Sequence, residues 1–129
     1  MPEQPQTEYI PTPDQGLQLY KAAGKLKGRK AIITGGDSGI GRATAVLFAM
    51  EGADSLIVYL EEEESDAQET KRLVEKYGQT CHLFPTDLKD RANCRAVVDT
   101  ALAQMGSIDI LFNNAAFQQM VEQIADLSE

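Results

Sequence analysis

An apolar run that breaks into a cluster of glycines constrains this chain more than any other stretch. Lys30 to Gly41 reads KAIITGGDSGIG. Ala31, Ile32 and Ile33 lead to Thr34, then come Gly35, Gly36, Gly39 and Gly41, and an amphipathic segment follows to about Glu51. Strand, glycine turn and helix in that order are the setting in which glycines serve a phosphate. A glycine reaches φ > 0 without a clash, so the chain can reverse sharply out of the strand. A missing Cβ lets a pyrophosphate approach the backbone. The helix that starts there aims unpaired N–H groups and the positive end of its dipole at the anion. The spacing is G-x-x-x-G-x-G rather than G-x-G-x-x-G, and a βα turn without a ligand is the competing reading. A P-loop is excluded, because no Gly-Lys-Ser/Thr follows the glycines.

The same alternation continues along the chain. Helical spacing of Ile40, Ala43, Thr44, Leu47 and Met50 predicts a helix from Gly39 to about Glu51, with that face on the sheet and Gly52 as its stop. Ser55–Leu60 predicts a second strand, with acid-rich Glu61–Glu64 as a solvated helix start. Ser65–Tyr77 reads as a helix packing through Ala67, Thr70, Leu73, Val74 and Tyr77, and Thr80–Pro85 as a third strand. A helix over Asp90–Met105 packs through Cys94, Val97, Val98, Ala101, Leu102 and Met105, and Ile108–Phe112 makes a fourth strand. Strands alternating with helices imply βαβ units, hence an α/β Rossmann-type doubly wound parallel sheet. Right-handed crossovers give the strand order 3-2-1-4, truncated at about four strands. Ligands then bind beyond the C-terminal strand ends, where Gly35–Gly41, Glu61, Asp87 and Asn113–Ala116 all fall. Residues 1–27, with Pro2, Pro5, Pro11 and Pro13, read as an extended or disordered arm, in which Leu17, Leu19 and Tyr20 are the docking candidates. Residues 28–129 form the partial dinucleotide-type domain.

Composition narrows the function classes. The 129 residues carry a formal net charge of −8, which does not invite nucleic acid or an anionic membrane. No apolar run approaches the ~20 residues that span a bilayer. The N-terminus has no basic start or apolar core of a targeting peptide, so a cytoplasmic location is the expectation. Cys81, Cys94 and His82 are too few for a zinc site of the usual type, and the two cysteines read as buried thiols.

These segments resemble the short-chain dehydrogenase/reductase family. The resemblance rests on Thr34-Gly-Gly-Asp-Ser-Gly-Ile-Gly41, Asp87-Leu88 and Asn113-Asn-Ala-Ala116, which match the family patterns T-G-x-x-x-G-x-G, an Asp after the third strand, and N-N-A-G. Ala116 stands where glycine is usual. The N-terminal arm, Gly24–Ala31 and Tyr59–Glu64 resemble the glucose- and ribitol-dehydrogenase-like subgroup. The resemblance implies an NAD(P)-dependent oxidoreductase. Gly35, Ser38, Gly39, Ile40 and Gly41 would face the pyrophosphate and nearby ribose. Asp87 would accept from the adenine amino group, with Leu88 beside the ring. Asn114 and Ala115 would line the nicotinamide ribose, and Asn113 would tie the central strands. Glu61 lies about 20 residues beyond the glycines, where an acid holds a ribose 2′-OH. Tyr59 occupies the position where NAD-specific relatives carry Asp. NAD versus NADP stays open. A Val at Gly41 is expected to fill the pyrophosphate's space and leave the fold intact.

The resemblance also implies a catalytic Tyr-x-x-x-Lys and a Ser beyond the N-N-A-G segment. Four residues after Tyr9, Tyr20, Tyr59 and Tyr77 stand Pro13, Gly24, Glu63 and Cys81, so no residue of this sequence takes a catalytic role. The expectation is therefore the cofactor-binding half of the enzyme, inactive alone. It would act on a small carbonyl or alcohol only with the other half supplied. A non-catalytic dinucleotide-binding module, or one whose apolar fourth strand pairs with a copy of itself or a full-length relative, is the alternative.

Overall fold

The computed structural model describes residues 9–12, 16–19, 22–37 and 39–114. In the N-terminal arm, β1 (Tyr9–Thr12) and β2 (Gly16–Leu19) pair antiparallel, with Tyr9 opposite Leu19 and Thr12 opposite Gly16. Leu17 and Leu19 fall in β2, and Tyr20 lies outside the described residues. The remaining elements are β3 (Lys30–Thr34), α1 (Gly39–Met50), β4 (Asp54–Tyr59), a 3-10 turn (Glu61–Glu63), α2 (Glu64–Lys76), β5 (Cys81–Pro85), α3 (Arg91–Met105) and β6 (Ile110–Asn113). They form one parallel sheet in the order β5-β4-β3-β6, the expected 3-2-1-4 winding. The chain thus has the truncated Rossmann-type α/β fold.

Alternation along the buried strands builds two cores. Ala31 and Ile33 of β3 and Ile57 and Tyr59 of β4 join Ala45, Ala49, Ala67 and Val74, so α1 and α2 cover one face. Ile32, Leu56 and Val58 point the other way, to Cys94, Val97, Val98 and Ala101 of α3. Every residue from Ala31 to Thr34 is fully buried, because helices cover both faces. Cys81 and Cys94 are buried free thiols, and burial pushes the Cys81 thiol up to about 11. The apolar stripes expected on α2 and α3 are the ones that pack, and Gly52, Gly78 and Gly106 end their helices with positive φ.

The packed face of α1 differs from the expected one. Gly41, Ala45, Val46 and Ala49 are buried, whereas Ile40 is 68% exposed and Ala43, Thr44, Leu47 and Met50 are only half-buried. Gly41, Ala45 and Ala49 recur every four residues. A stripe of small side chains lets the helix axis come close to the sheet. Reading the stripe by side-chain size alone therefore selects the neighbouring face. Ile110, Leu111 and Phe112 of the edge strand β6 are half-buried.

Polar ties fix the strand ends away from the glycine turn. Lys30 Nζ lies 2.7 Å from Asp54 Oδ2, and Gln79 Nε2 and the Thr80 amide donate to Asp54 Oδ1 at 2.8 and 2.9 Å. Burial pushes the Asp54 carboxyl up, but these donors and the Lys30 charge outweigh it, and the net direction is down. A carboxyl lowered in the fold stabilises above its unfolded pKa, and that stability is lost as pH falls through the folded value. Urea stability of the chain is therefore expected to fall below about pH 4, with Asp54→Asn flattening that fall and costing about 2 kcal/mol near neutrality. An acid limb of the same steepness in Asp54→Asn would assign the loss to other carboxyls.

Candidate functional site

The site is assembled at the C-terminal ends of β3, β4 and β5. Gly35 follows β3 at φ 71°, and its amide donates to the Val58 carbonyl at 2.7 Å, so the turn leaves the sheet over β4. Helix α1 then begins at Gly39, with φ 61° and no acidic residue in its first turn. Its positive end carries no carboxylate within the helix itself, and the nearest acid in sequence is Asp37, two residues before it. Space beside Gly39 is open: a Cβ built there meets nothing within 4 Å.

Gly41 has another purpose. A Cβ there would lie 1.9 Å from the Gly35 carbonyl oxygen and 3.0 Å from Gly36 Cα. It is buried and carries the close approach of α1 to the turn, so a side chain at this position meets backbone before it meets any ligand. The expectation that Gly41→Val spares the fold is corrected accordingly. Gly35 is also close-packed, because a Cβ there would come within 2.9 Å of Asn114 Nδ2.

Between the strand ends lies a cavity of about 230 Å³. Gly35 and Asp37 come to it from the glycine turn, Tyr59 and Leu60 from the end of β4, Glu63 from the 3-10 turn, and Asp87, Leu88 and Lys89 from beyond β5. The sequence-derived residues Gly35, Tyr59, Asp87 and Leu88 thus meet at one cavity. Asp87 Oδ1 accepts from the Lys89 amide at 2.9 Å, and the Asp87 carbonyl accepts from Asn93 Nδ2 at 2.9 Å. Leu88 is 4% exposed and belongs mainly to the α3-side core. The Tyr59 hydroxyl donates to Glu64 Oε1 at 2.6 Å. Burial, with that carboxylate next, pushes its pKa well above the ordinary tyrosine value, so it stays protonated at neutral pH.

Ile40 is exposed at the start of α1, and Asn114 lies at the end of β6 with its Nδ2 3.5 Å from the Gly35 carbonyl oxygen. Beside it, Thr34 Oγ1 donates to Asn113 Oδ1 at 3.0 Å and ties β3 to β6. Glu61 is exposed on the 3-10 turn, outside the cavity lining. Ser38 and Ala115 lie outside the described residues. Sequence reasoning missed Asp37 and Glu63. Asp37 occupies a variable position inside the glycine motif, and Glu63 is one of four adjacent glutamates, so neither stands out without the fold. The two carboxyls lie close together, and the Asp37 carboxyl, as a hydrogen-bond partner first and through its charge second, raises the Glu63 pKa. Among the described residues no group of His, Cys, Asp and Glu could hold a metal ion, and no helix is long and apolar enough to cross a membrane.

The residues present fit a dinucleotide. Open backbone at Gly39, a helix start and a carboxylate at Asp87 suit a pyrophosphate and an exocyclic amine. The chain is similar to known proteins in sequence and in fold. A curated relative from Oryza sativa subsp. japonica, a glucose and ribitol dehydrogenase homolog, is 46% identical over 126 residues, covering 92% of this chain and 42% of its own. A structure of NAD+-bound xylitol dehydrogenase superposes with TM-score 0.67 at 28% identity, over 73% of this chain and 35% of that one. A Burkholderia cenocepacia J2315 short chain dehydrogenase in complex with NADP gives TM-score 0.64 at 36% identity, over 67% of this chain and 35% of that one. The chain spans 39% to 42% of the length of several curated relatives that it matches. The short chain dehydrogenase family model matches residues 29–129. On that match, from the approach to β3 through to Glu129, the chain belongs to the short chain dehydrogenase family.

Proposed function

We propose that this chain binds a nicotinamide dinucleotide as the cofactor-binding part of an oxidoreductase acting on a small carbonyl or alcohol. The observation that carries this reading is the convergence of the glycine turn, the β4 end and Asp87 on one cavity. When bound, the nicotinamide supplies or accepts the hydride. The chain's own residues bind and orient. The amides at the start of α1, with Ser38 and Gly39, hold the pyrophosphate. Asp87 accepts from the adenine amino group, with Leu88 against the ring. Asn114 and Ala115 line the far ribose. Tyr59 stays a protonated wall residue and moves no proton. The sequence holds no Tyr-x-x-x-Lys, so hydride transfer requires that segment from elsewhere and the 129 residues alone are expected to turn over no substrate.

Charge around the cavity favours NAD. Asp37, Glu63 and Asp87 line it against Lys89 alone among the described residues. A 2′-phosphate would add about two negative charges beside these carboxylates. Glu63, rather than Glu61, is the acid beyond the glycines that reaches the cavity, and it takes the role of meeting the ribose 2′-OH. Calorimetric titration of the folded chain is expected to show NADH binding about tenfold tighter than NADPH, with Glu63→Gln narrowing the gap. Tighter NADPH binding would reverse the preference, and binding of neither cofactor would sink the dinucleotide reading.

A further inference from the structure

We propose that Arg42 and Thr70 form a clamp through which α2, a helix that lines no part of the cavity, holds the glycine turn in its pyrophosphate-receiving shape. Arg42 sits in the first turn of α1, yet its guanidinium reaches across to two other elements. Its Nη2 donates to the Asp37 carbonyl at 2.7 Å and to the Asp66 carbonyl at 2.9 Å, and its Nε donates to Thr70 Oγ1 at 3.0 Å. Thr70 is fully buried, and its hydroxyl lies 3.2 Å from the same Asp37 carbonyl and 3.3 Å from the Asp66 carbonyl. One backbone carbonyl of the glycine turn therefore accepts from Arg42 and shares the single Thr70 hydroxyl proton with the Asp66 carbonyl, two residues before α1 begins at Gly39.

The direction of those bonds is what matters. A peptide carbonyl fixed in space fixes the plane of the peptide that follows it, because the peptide bond is planar. Anchoring the Asp37 carbonyl therefore constrains the backbone that enters the helix start, the part of the turn proposed to receive the pyrophosphate. A planar guanidinium can serve several acceptors from one rigid fork, which a lysine ammonium on a flexible stem does not reproduce. The glycines themselves cannot supply this rigidity, since they leave the turn with more conformational freedom than any other residue type. The clamp is the physical answer to a turn that must be open to a ligand and still preorganised for it. Arg42 and Thr70 are positioning residues; they act on the ligand only through the turn.

This inference rests on the dinucleotide reading above, and its test separates the two. Adenosine carries the base and ribose without the pyrophosphate. It serves as the probe of the adenine end, while NADH probes the whole site. In calorimetry on the 129-residue chain, Arg42→Met is expected to weaken NADH by about tenfold or more while adenosine affinity stays within about twofold. Arg42→Lys is expected to recover only part of the loss. Thr70→Val, which removes the hydroxyl and keeps the shape, is expected to show the same split at smaller amplitude, and it decides the matter if Arg42→Met does not fold. Equal losses for NADH and adenosine in these variants, or no loss for either, overturn the clamp while dinucleotide binding by the unaltered chain stands. An unaltered chain that binds neither probe overturns the dinucleotide reading and the clamp together.

Discussion

Gly41→Val is expected to cost the fold about 3 kcal/mol or more, and to remove dinucleotide binding because the turn no longer forms. The cause is steric and local. The added Cβ would sit 1.9 Å from the Gly35 carbonyl oxygen and 2.7 Å from its carbonyl carbon, and both atoms belong to backbone that cannot swing aside. Relief requires α1 to move off the sheet, which separates Ala45 and Ala49 from Ile33 and Ile57. Urea denaturation followed by circular dichroism measures the effect. Gly39 provides the contrast, because a Cβ there meets nothing within 4 Å and only the φ of 61° opposes it. Gly39→Ala is expected to cost about 1 kcal/mol, the ordinary penalty for a left-handed backbone. If the two variants are equally stable, Gly41 is not the contact point between helix and turn.

The second large effect belongs to Glu51, at the opposite end of α1. Glu51 is 5% exposed, and its Oε1 accepts from the amides of Ala23 and Lys25 at 3.1 and 2.9 Å. Its backbone carbonyl accepts from the Leu26 amide at 2.9 Å. Glu51 thus ties three successive points of the segment leading into β3 to the end of α1, and the Gly28 amide adds a bond to the Gly52 carbonyl at 3.3 Å. Glu51→Ala leaves two amides without their charged acceptor and is expected to cost about 3 kcal/mol. Glu51→Gln keeps a carbonyl oxygen in the same place and should lose about half as much. Hydrogen exchange reports the mechanism directly: the amides of Ala23 and Lys25 should lose protection in Glu51→Ala while those of β4 keep it. Unchanged protection at both amides would show that the backbone bonds of Leu26 and Gly28 hold the segment without the carboxylate.

Both positions were visible as letters and invisible as constraints. Gly41 is legible in the sequence as the last glycine of a phosphate-type turn, which suggests space for a ligand. Its neighbours in space, Gly35 and Gly36, show that the space is already taken by backbone. Glu51 reads as an unremarkable acid at a helix end. Its partners lie 26 and 28 residues earlier, in a stretch with no periodic signal. The acid beyond β4 follows the same pattern. Counting from the glycines points to Glu61, but the 3-10 turn at Glu61–Glu63 rotates the backbone so that Glu63 faces the cavity and Glu61 faces solvent.

The sequence by itself determined the order of strands and helices, the parallel sheet, the 3-2-1-4 winding and the end of the sheet at which a ligand would lie. These follow from hydrophobic period, glycine and proline placement and the handedness of crossovers, which are properties of short segments and of the chain's direction. Tertiary structure alone decided which stripe of α1 packs, which glycine is open and which is closed, that Asp37 and Glu63 meet, and that Arg42 reaches α2. Each of these depends on the distance between atoms far apart in the chain. A one-residue rotation of a helix or a single 3-10 turn changes that distance by several ångströms and leaves no trace in local composition.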